Sequence, residues 1–172
     1  MKFELPSSKS GDWPLLIAAG IFFIGIVGWL HYRNTTAEAT AETHFTLSTL
    51  QQALAEYESV VGTAPVIAPG KPSMHCFLTE YQRAFAYKTF DGRWHNNLHV
   101  LRALRTDATV FGSIRMPDGQ RMRGLVAVKD GFHKPIHYIV NRNISWRAPC
   151  FVSIGSGWGS ARHPRIYSPA PQ

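Results

Sequence analysis

Two histidine pairs carry a spacing that suits metal chelation on a helix: His95 with His99, and His133 with His137. At i, i+4 on one helical face, two imidazoles reach the same divalent ion. No neighbouring Glu, Asp or Cys completes the His95/His99 set, so solvent-facing histidines are the favoured reading. His133 and His137 straddle a turn and Pro135, where the spacing means less. His31 ends an apolar run and could ligate a porphyrin-type metal, although an interfacial anchor is the commoner use of such a residue. Ser153-Ile154-Gly155 is not a nucleophile elbow, because Phe151 stands where Gly-x-Ser-x-Gly needs its first glycine. No glycine-rich phosphate loop follows a strand and opens a helix. Only five acids follow Val61, so paired carboxylates for acid–base work are scarce. Enzymatic chemistry is not expected, nor is a cofactor on this chain.

Cys76 and Cys150 are the only cysteines. With no Cys-x-x-Cys, a zinc ribbon, a thioredoxin-type site and a c-type haem attachment are excluded. In an extracytoplasmic domain the two would form a disulfide, whose long loop is worth roughly 4 kcal/mol in the loop-entropy model. Two buried thiols are the alternative.

Charge gives the strongest hint of a partner. The 172 residues hold 18 Lys+Arg against 11 Asp+Glu, a net charge of +7 with a pI near 9.7. Residues 61–172 alone hold 15 basic and five acidic residues, so this region carries +10. Arginine predominates there, which suits forks to carboxylate or phosphate. Arg115, Arg121 and Arg123 are expected on one hairpin, with Arg102 and Arg105 near in sequence, as a partner-binding basic surface. A merely solvated surface is the alternative. Acidic membrane-protein subunits are the expected partners, with anionic lipid a further candidate and nucleic acid disfavoured.

The elements that must position these residues begin with Pro14 to Leu30, an apolar run without a charge. Its 17 residues rise roughly 26 Å as a helix, near the lower limit for a bilayer core. Trp13, Trp29 and Tyr32 stand at its ends, where amphipathic rings prefer the interface. The flank His31-Tyr32-Arg33-Asn34 is not a small-x-small cleavage site, so a retained anchor is expected over residues 13–33. Lys2 and Lys9 in segment 1–12 outnumber Arg33, which places the N-terminus inside. Ala18, Ile21, Gly25 and Gly28 fall near one face and would let another helix approach.

Leu47, Leu50, Leu54, Tyr57 and Val61 recur every three or four residues, the stripe of an amphipathic helix ending at Gly62 and Pro65. Thr35-Thr36-Ala37-Glu38 has the form of a capping box, which leaves continuity with the anchor open. A shorter helix is expected over Trp94 to Arg105. The period then becomes that of strands: Val110–Met116 and Arg121–Val128 flank the Pro117-Asp118-Gly119-Gln120 turn, and Pro135–Val140 and Cys150–Ile154 follow. The tail from 155 reads as loop. With 45% hydrophobic and 17% charged residues, disorder is excluded. The expected class is α+β: a transmembrane helix, then an amphipathic helix packed on a small antiparallel β-sheet within residues 34–172.

This order resembles the major pseudopilins of type II secretion systems. Leu50-Gln51-Gln52-Ala53-Leu54-Ala55-Glu56-Tyr57 with Gly62 and Pro65 is similar to the end of that family's long helix. Asn96 to Leu104 resembles a short helix of several relatives. Asp130-Gly131-Phe132-His133-Lys134-Pro135-Ile136-His137-Tyr138 resembles the family's Asp-x-Trp-Gly-x-Pro-x-x-Tyr turn and strand, and Val152-Ser153-Ile154-Gly155 its Ser-x-Gly strand end. The resemblance implies a pilin-like fold and a periplasmic domain. Polymerising members carry a Gly, an aromatic or Met, and a Glu at the start of the apolar run. Here Gly11 precedes Asp12 and the later position is Leu16, so neither peptidase cleavage nor filament assembly is expected. Gly155 to Ala161 lacks the carboxylates of the family's calcium loop, so no calcium is expected. The resulting expectation is a non-enzymatic single-pass subunit that stabilises a larger membrane assembly, with a photosynthetic reaction centre–antenna complex, whose partners carry the pigments, as the guess. The alternative is a divergent pseudopilin of secretion or DNA uptake.

Overall fold

The computed structural model describes residues 13–141, 148–155 and 165–168. Segment 1–12 and most of the tail from 155 lie outside the described residues. The class is α+β, with a long apolar N-terminal helix and small antiparallel sheets. The chain divides between Glu38 and Ala39 into two compact units.

Helix α1 is Trp13–Val61. Pro14 sits in its first turn, where a missing N–H costs nothing. No break occurs at the capping-box sequence. The Thr35 and Thr36 hydroxyls bond back to the His31 and Tyr32 carbonyls at 2.8–3.1 Å, as mid-helix threonines do, so neither caps a new N-terminus. Gly62 ends the helix at φ +82°, and its N–H reaches the Glu58 carbonyl at 2.8 Å. Within α1 an 18-residue stretch reaches a mean hydropathy of 1.5, long and apolar enough to cross a membrane.

In the C-terminal unit, the α1 residues Thr43, Thr46, Leu47, Leu50, Ala53, Leu54 and Tyr57 are buried along one stripe. Val61, expected on it, is 44% exposed; the buried stripe ends one turn earlier. Helix α2 (Ser73–Ala84) was not expected. Its buried Met74, Phe77, Leu78, Tyr81 and Gln82 follow the i, i+3, i+4 rhythm of an amphipathic helix. Phe77 anchors the core, 5.2 Å from the Tyr138 ring and 4.8 Å edge-on to Phe151. Burying each such side chain contributes about 1.5–3 kcal/mol.

Among the described residues the strands form three sheets rather than the single one expected. β1 (Ala86–Lys88) pairs with β2 (Trp94–Asn96), β3 (Thr109–Arg115) with β4 (Arg121–Val128), and β5 (His137–Ile139) with β6 (Cys150–Ser153) and β7 (Ile166–Tyr167), all antiparallel. The helix expected over Trp94–Arg105 is therefore a correction: Trp94 to Asn96 is strand, and only the 3-10 turn Leu101–Ala103 coils. Its apolar rhythm arises because Leu101 and Leu104 bury side chains from an irregular segment. The tail also supplies β7, held where the Phe151 N–H donates to the Ser168 hydroxyl at 3.1 Å and that hydroxyl donates to Gln51 Oε1 at 2.8 Å.

The β3–β4 turn follows its sequence closely. Pro117 and Asp118 fill the centre of a Met116–Gly119 turn, Gly119 takes φ +84°, and Met116 N–H reaches the Gln120 carbonyl at 2.8 Å. Proline fixes the first central φ and glycine supplies the left-handed residue, which matches the strand twist.

Candidate interaction surfaces

The β3–β4 hairpin places three of the five expected arginines together. Alternation sends Phe111, Ser113 and Arg115 of β3 and Arg121 and Arg123 of β4 to one exposed face. Ser113 lies opposite Arg123, and Arg115 opposite Arg121. The Arg123 guanidinium stacks 5.5 Å from the Phe111 ring centre, a cation–π contact that leaves its N–H fork open to an anion. A shallow groove of about 380 Å³ runs along this face, lined by Phe111, Gly112, Ser113, Arg121, Met122 and Arg123. Among the described residues none of these three arginines makes an ion pair.

Arg105 stands apart from the hairpin arginines. Its guanidinium pairs with Glu42 and Asp107, each at 3.0 Å, and ties an irregular loop to α1. The Asp107 hydrogen bond comes first among the causes that raise the Arg105 pKa, and the same bond lowers that of Asp107. Arg102 lies on the 3-10 turn, exposed, outside the hairpin.

The His95/His99 pair is split between different partners. His95 lies in β2 and stacks on Tyr87 at 5.9 Å, whereas the His99 Nε2 meets Glu56 Oε1 at 2.9 Å. With a strand and a turn in place of a helix, the i, i+4 spacing no longer aligns them. Among the described residues no cluster of three His, Cys, Asp or Glu side chains is arranged to hold a metal. Glu56 also accepts a 2.5 Å bond from the Tyr81 hydroxyl. Burial first, then this bond, pushes the Tyr81 hydroxyl well above the usual tyrosine range.

Cys76 on α2 and Cys150 on β6 are both buried, at 6% and 1% exposure, and no disulfide joins them. The structure holds them as two thiols, the alternative reading, inside the core.

Two polar clasps hold the loops. Buried Asp130 accepts the Phe132 and Lys134 N–H groups at 2.9 and 2.8 Å and the Ser153 hydroxyl. The neighbouring Gly131 N–H donates to the Thr43 hydroxyl at 3.0 Å. Asp118 at the β3–β4 turn accepts from Lys88 at 2.9 Å and the Trp94 indole at 2.8 Å, locking the turn to the first hairpin. The Lys88 bond, then the Trp94 bond, lowers the Asp118 pKa to about 2.

On the first part of α1, Ala18, Ile21, Gly25 and Gly28 are all exposed. Nothing lies within 4 Å of a side chain built on Gly25 or Gly28. Ile21, Phe22, Gly25, Ile26 and Trp29 line a notch of about 400 Å³, and Arg33 stacks 5.5 Å over the Trp29 ring. His31 is exposed on the same helix.

Sequence reasoning found the hairpin arginines but missed Phe111 and Ser113 on their face. The alternation Phe111, Ser113, Arg115 carried that information. No protein-family model, curated protein or solved structure matches this chain.

Proposed function

We propose that the chain is a non-enzymatic, single-pass membrane subunit that stabilises a larger membrane assembly. The observation that carries this reading is the exposed apolar surface of α1, where Leu16, Ile21, Phe22, Phe23 and Ile24 are each about two-thirds exposed or more. A patch of this kind needs lipid or protein around it. The small residues Ala18, Gly25 and Gly28 are the places where a second helix packs closely, and the Arg115/Arg121/Arg123 face meets acidic protein. The Lys/Arg balance favours a cytoplasmic N-terminus and a periplasmic C-terminal unit in a bacterial inner membrane.

A second reading is a divergent pseudopilin of a secretion or DNA-uptake system. It is favoured by the buried stripe of α1 beside antiparallel hairpins and by the Asp130–Tyr138 turn and strand. In both readings the C-terminal unit is pilin-like.

Mild-detergent purification of the tagged native protein, with mass spectrometry and an absorption spectrum of the particle, tests the proposal. Stoichiometric membrane partners support a structural subunit, and pigment bands identify a photosynthetic reaction centre–antenna complex. A monomer, or secretion components alone, refutes the first reading. Alkaline extraction of an Ile21→Lys/Ile24→Lys variant tests the anchor, because each lysine opposes insertion by about 3 kcal/mol; undiminished membrane retention would exclude a spanning α1.

A further inference from the structure

The two edges of the β3–β4 hairpin are treated differently. On the β4 edge, side chains stand in for a missing strand. Gln82, fully buried, takes both backbone groups of Leu125: its Nε2 donates to the carbonyl and its Oε1 accepts the N–H, each at 2.7 Å. Asn96 Nδ2 donates to the Arg123 carbonyl at 3.2 Å. Leu125 and Arg123 therefore point their backbone groups away from β3. In an antiparallel ladder such outward residues face one another in non-hydrogen-bonded pairs, so their partners Phe111 and Ser113 point away from β4.

Among the described residues the β3 edge has no such cover. Arg83 donates to the Arg115 carbonyl at 2.7 and 3.1 Å, stopping the edge at its end. Among the described residues no hydrogen bond reaches the outward N–H or C=O of Phe111 or Ser113, and β3 has β4 as its sole strand neighbour. The open edge runs beside the three arginines that lack an ion pair and the half-exposed Phe111.

We infer that the β3 edge receives an extended acidic segment of a partner protein by antiparallel strand addition, with alternate carboxylates laid across Arg115, Arg121 and Arg123. The two halves of the site select this occupant together. Backbone pairing needs a chain that offers donors and acceptors alternately, which a polyphosphate backbone, all acceptor, cannot supply. The arginine face selects acidic side chains at every second position, since residues directly opposite in an antiparallel pair share a face. A second copy of this chain is disfavoured, because edge-to-edge pairing would crowd two arginine sets together, a device that also guards free edges against self-association. This inference rests on the reading of the chain as a subunit that binds other proteins and names the chemistry of one contact.

The test uses the full chain in mild detergent and a fluorescent peptide of roughly seven residues alternating glutamate and valine. A second peptide carries the same sequence with methylated glutamate nitrogens, keeping every carboxylate but losing the ladder donors. The expected result is saturable binding of the first peptide, at least tenfold weaker for the methylated one. Ser113→Pro removes an outward N–H at an edge position that tolerates proline and is expected to weaken binding by the same factor; Arg115→Gln/Arg121→Gln/Arg123→Gln weakens it similarly and flattens its salt dependence. Binding of the methylated peptide within twofold of the parent overturns strand addition, whatever the folding of either variant. So does absence of binding to the parent peptide, or equal competition by single-stranded DNA. Recovery of the native particle with Ser113→Pro at wild-type stoichiometry, beside unchanged peptide affinity, would also overturn it while leaving the subunit reading intact. A wild-type chain that co-purifies with nothing refutes the subunit reading instead.

Discussion

Gln82→Met is the most informative single change to the fold. Methionine nearly matches glutamine in volume and shape, so the substitution opens little cavity. It deletes the two bonds to Leu125 and the 2.7 Å bond to the Leu78 carbonyl. The Leu78 carbonyl lies within a helix, where it retains other partners. The Leu125 N–H and carbonyl are different: Leu125 is 1% exposed, so water does not replace the lost amide. Leaving two buried backbone groups unsatisfied costs about 1–3 kcal/mol each, hence about 2–6 kcal/mol in total. That is a large part of the 5–15 kcal/mol that typically holds a domain folded, by the same order-of-magnitude reasoning. For a unit of this size the loss corresponds to a fall in Tm of roughly 4 °C per kcal/mol. Thermal and urea unfolding in detergent measure it, and amide hydrogen exchange at Leu125 localises it. A variant within about 0.5 kcal/mol of wild type, with Leu125 still protected, would refute the assignment of Gln82 as the substitute for a strand on β4.

Three further outcomes are expected. Gly131→Ala destabilises the C-terminal unit by about 2–4 kcal/mol, because its methyl would overlap the Ala39 carbonyl oxygen and stand 2.8 Å from the Ala39 C and Cα; equal urea midpoints would show that the Asp130 turn does not dock there. Asp118 has a depressed pKa of about 2, so the stability it adds is complete above the ordinary carboxylate pKa near 3.8 and is lost as pH falls from there through about 2. A carboxyl titration by NMR is expected to show that midpoint and to move upward in Lys88→Met; an unshifted midpoint excludes the clasp. Native protein is expected to resist maleimide at Cys76 and Cys150, whereas the chain unfolded without reductant takes two labels. Absence of labelling after unfolding would restore the disulfide.

The apolar run and the Leu47–Tyr57 stripe were legible because each repeats a single physical rule over several turns. The β3–β4 hairpin was legible because Pro117, Asp118 and Gly119 admit few backbone conformations. Helix α2 escaped notice because its buried face includes Gln82 and Thr79, whose polarity hides the 3.6-residue rhythm. The error at Trp94–Arg105 has the converse origin, since Leu98, Leu101 and Leu104 mimic a helical period while serving as separate plugs into the core. Arg105 shows why composition alone could not define the basic face. Its charge is cancelled locally by Glu42, distant in sequence, and only tertiary contact separates it from Arg121 and Arg123.

Two of the three sheets described in the C-terminal unit are fastened to helices by a few hydrogen-bonding side chains: β4 to α2 by Gln82, β5 to α2 by the Ser73 hydroxyl at the Tyr138 N–H, 3.1 Å away, and the end of β7 to α1 through Ser168 and Gln51, while the β1–β2 hairpin is tied to β3–β4 through Asp118 and Asn96. Separately fastened sheets have a different evolutionary freedom from one continuous sheet. In a continuous sheet, lengthening or shifting a strand disturbs the register of every neighbour. Here the β5–β6–β7 sheet can grow, shrink or change its exposed face while the coupled β1–β2 and β3–β4 hairpins keep their fastenings, and it can open locally without unravelling them. The helices then act as a shared frame against which exposed loops can vary one sheet at a time.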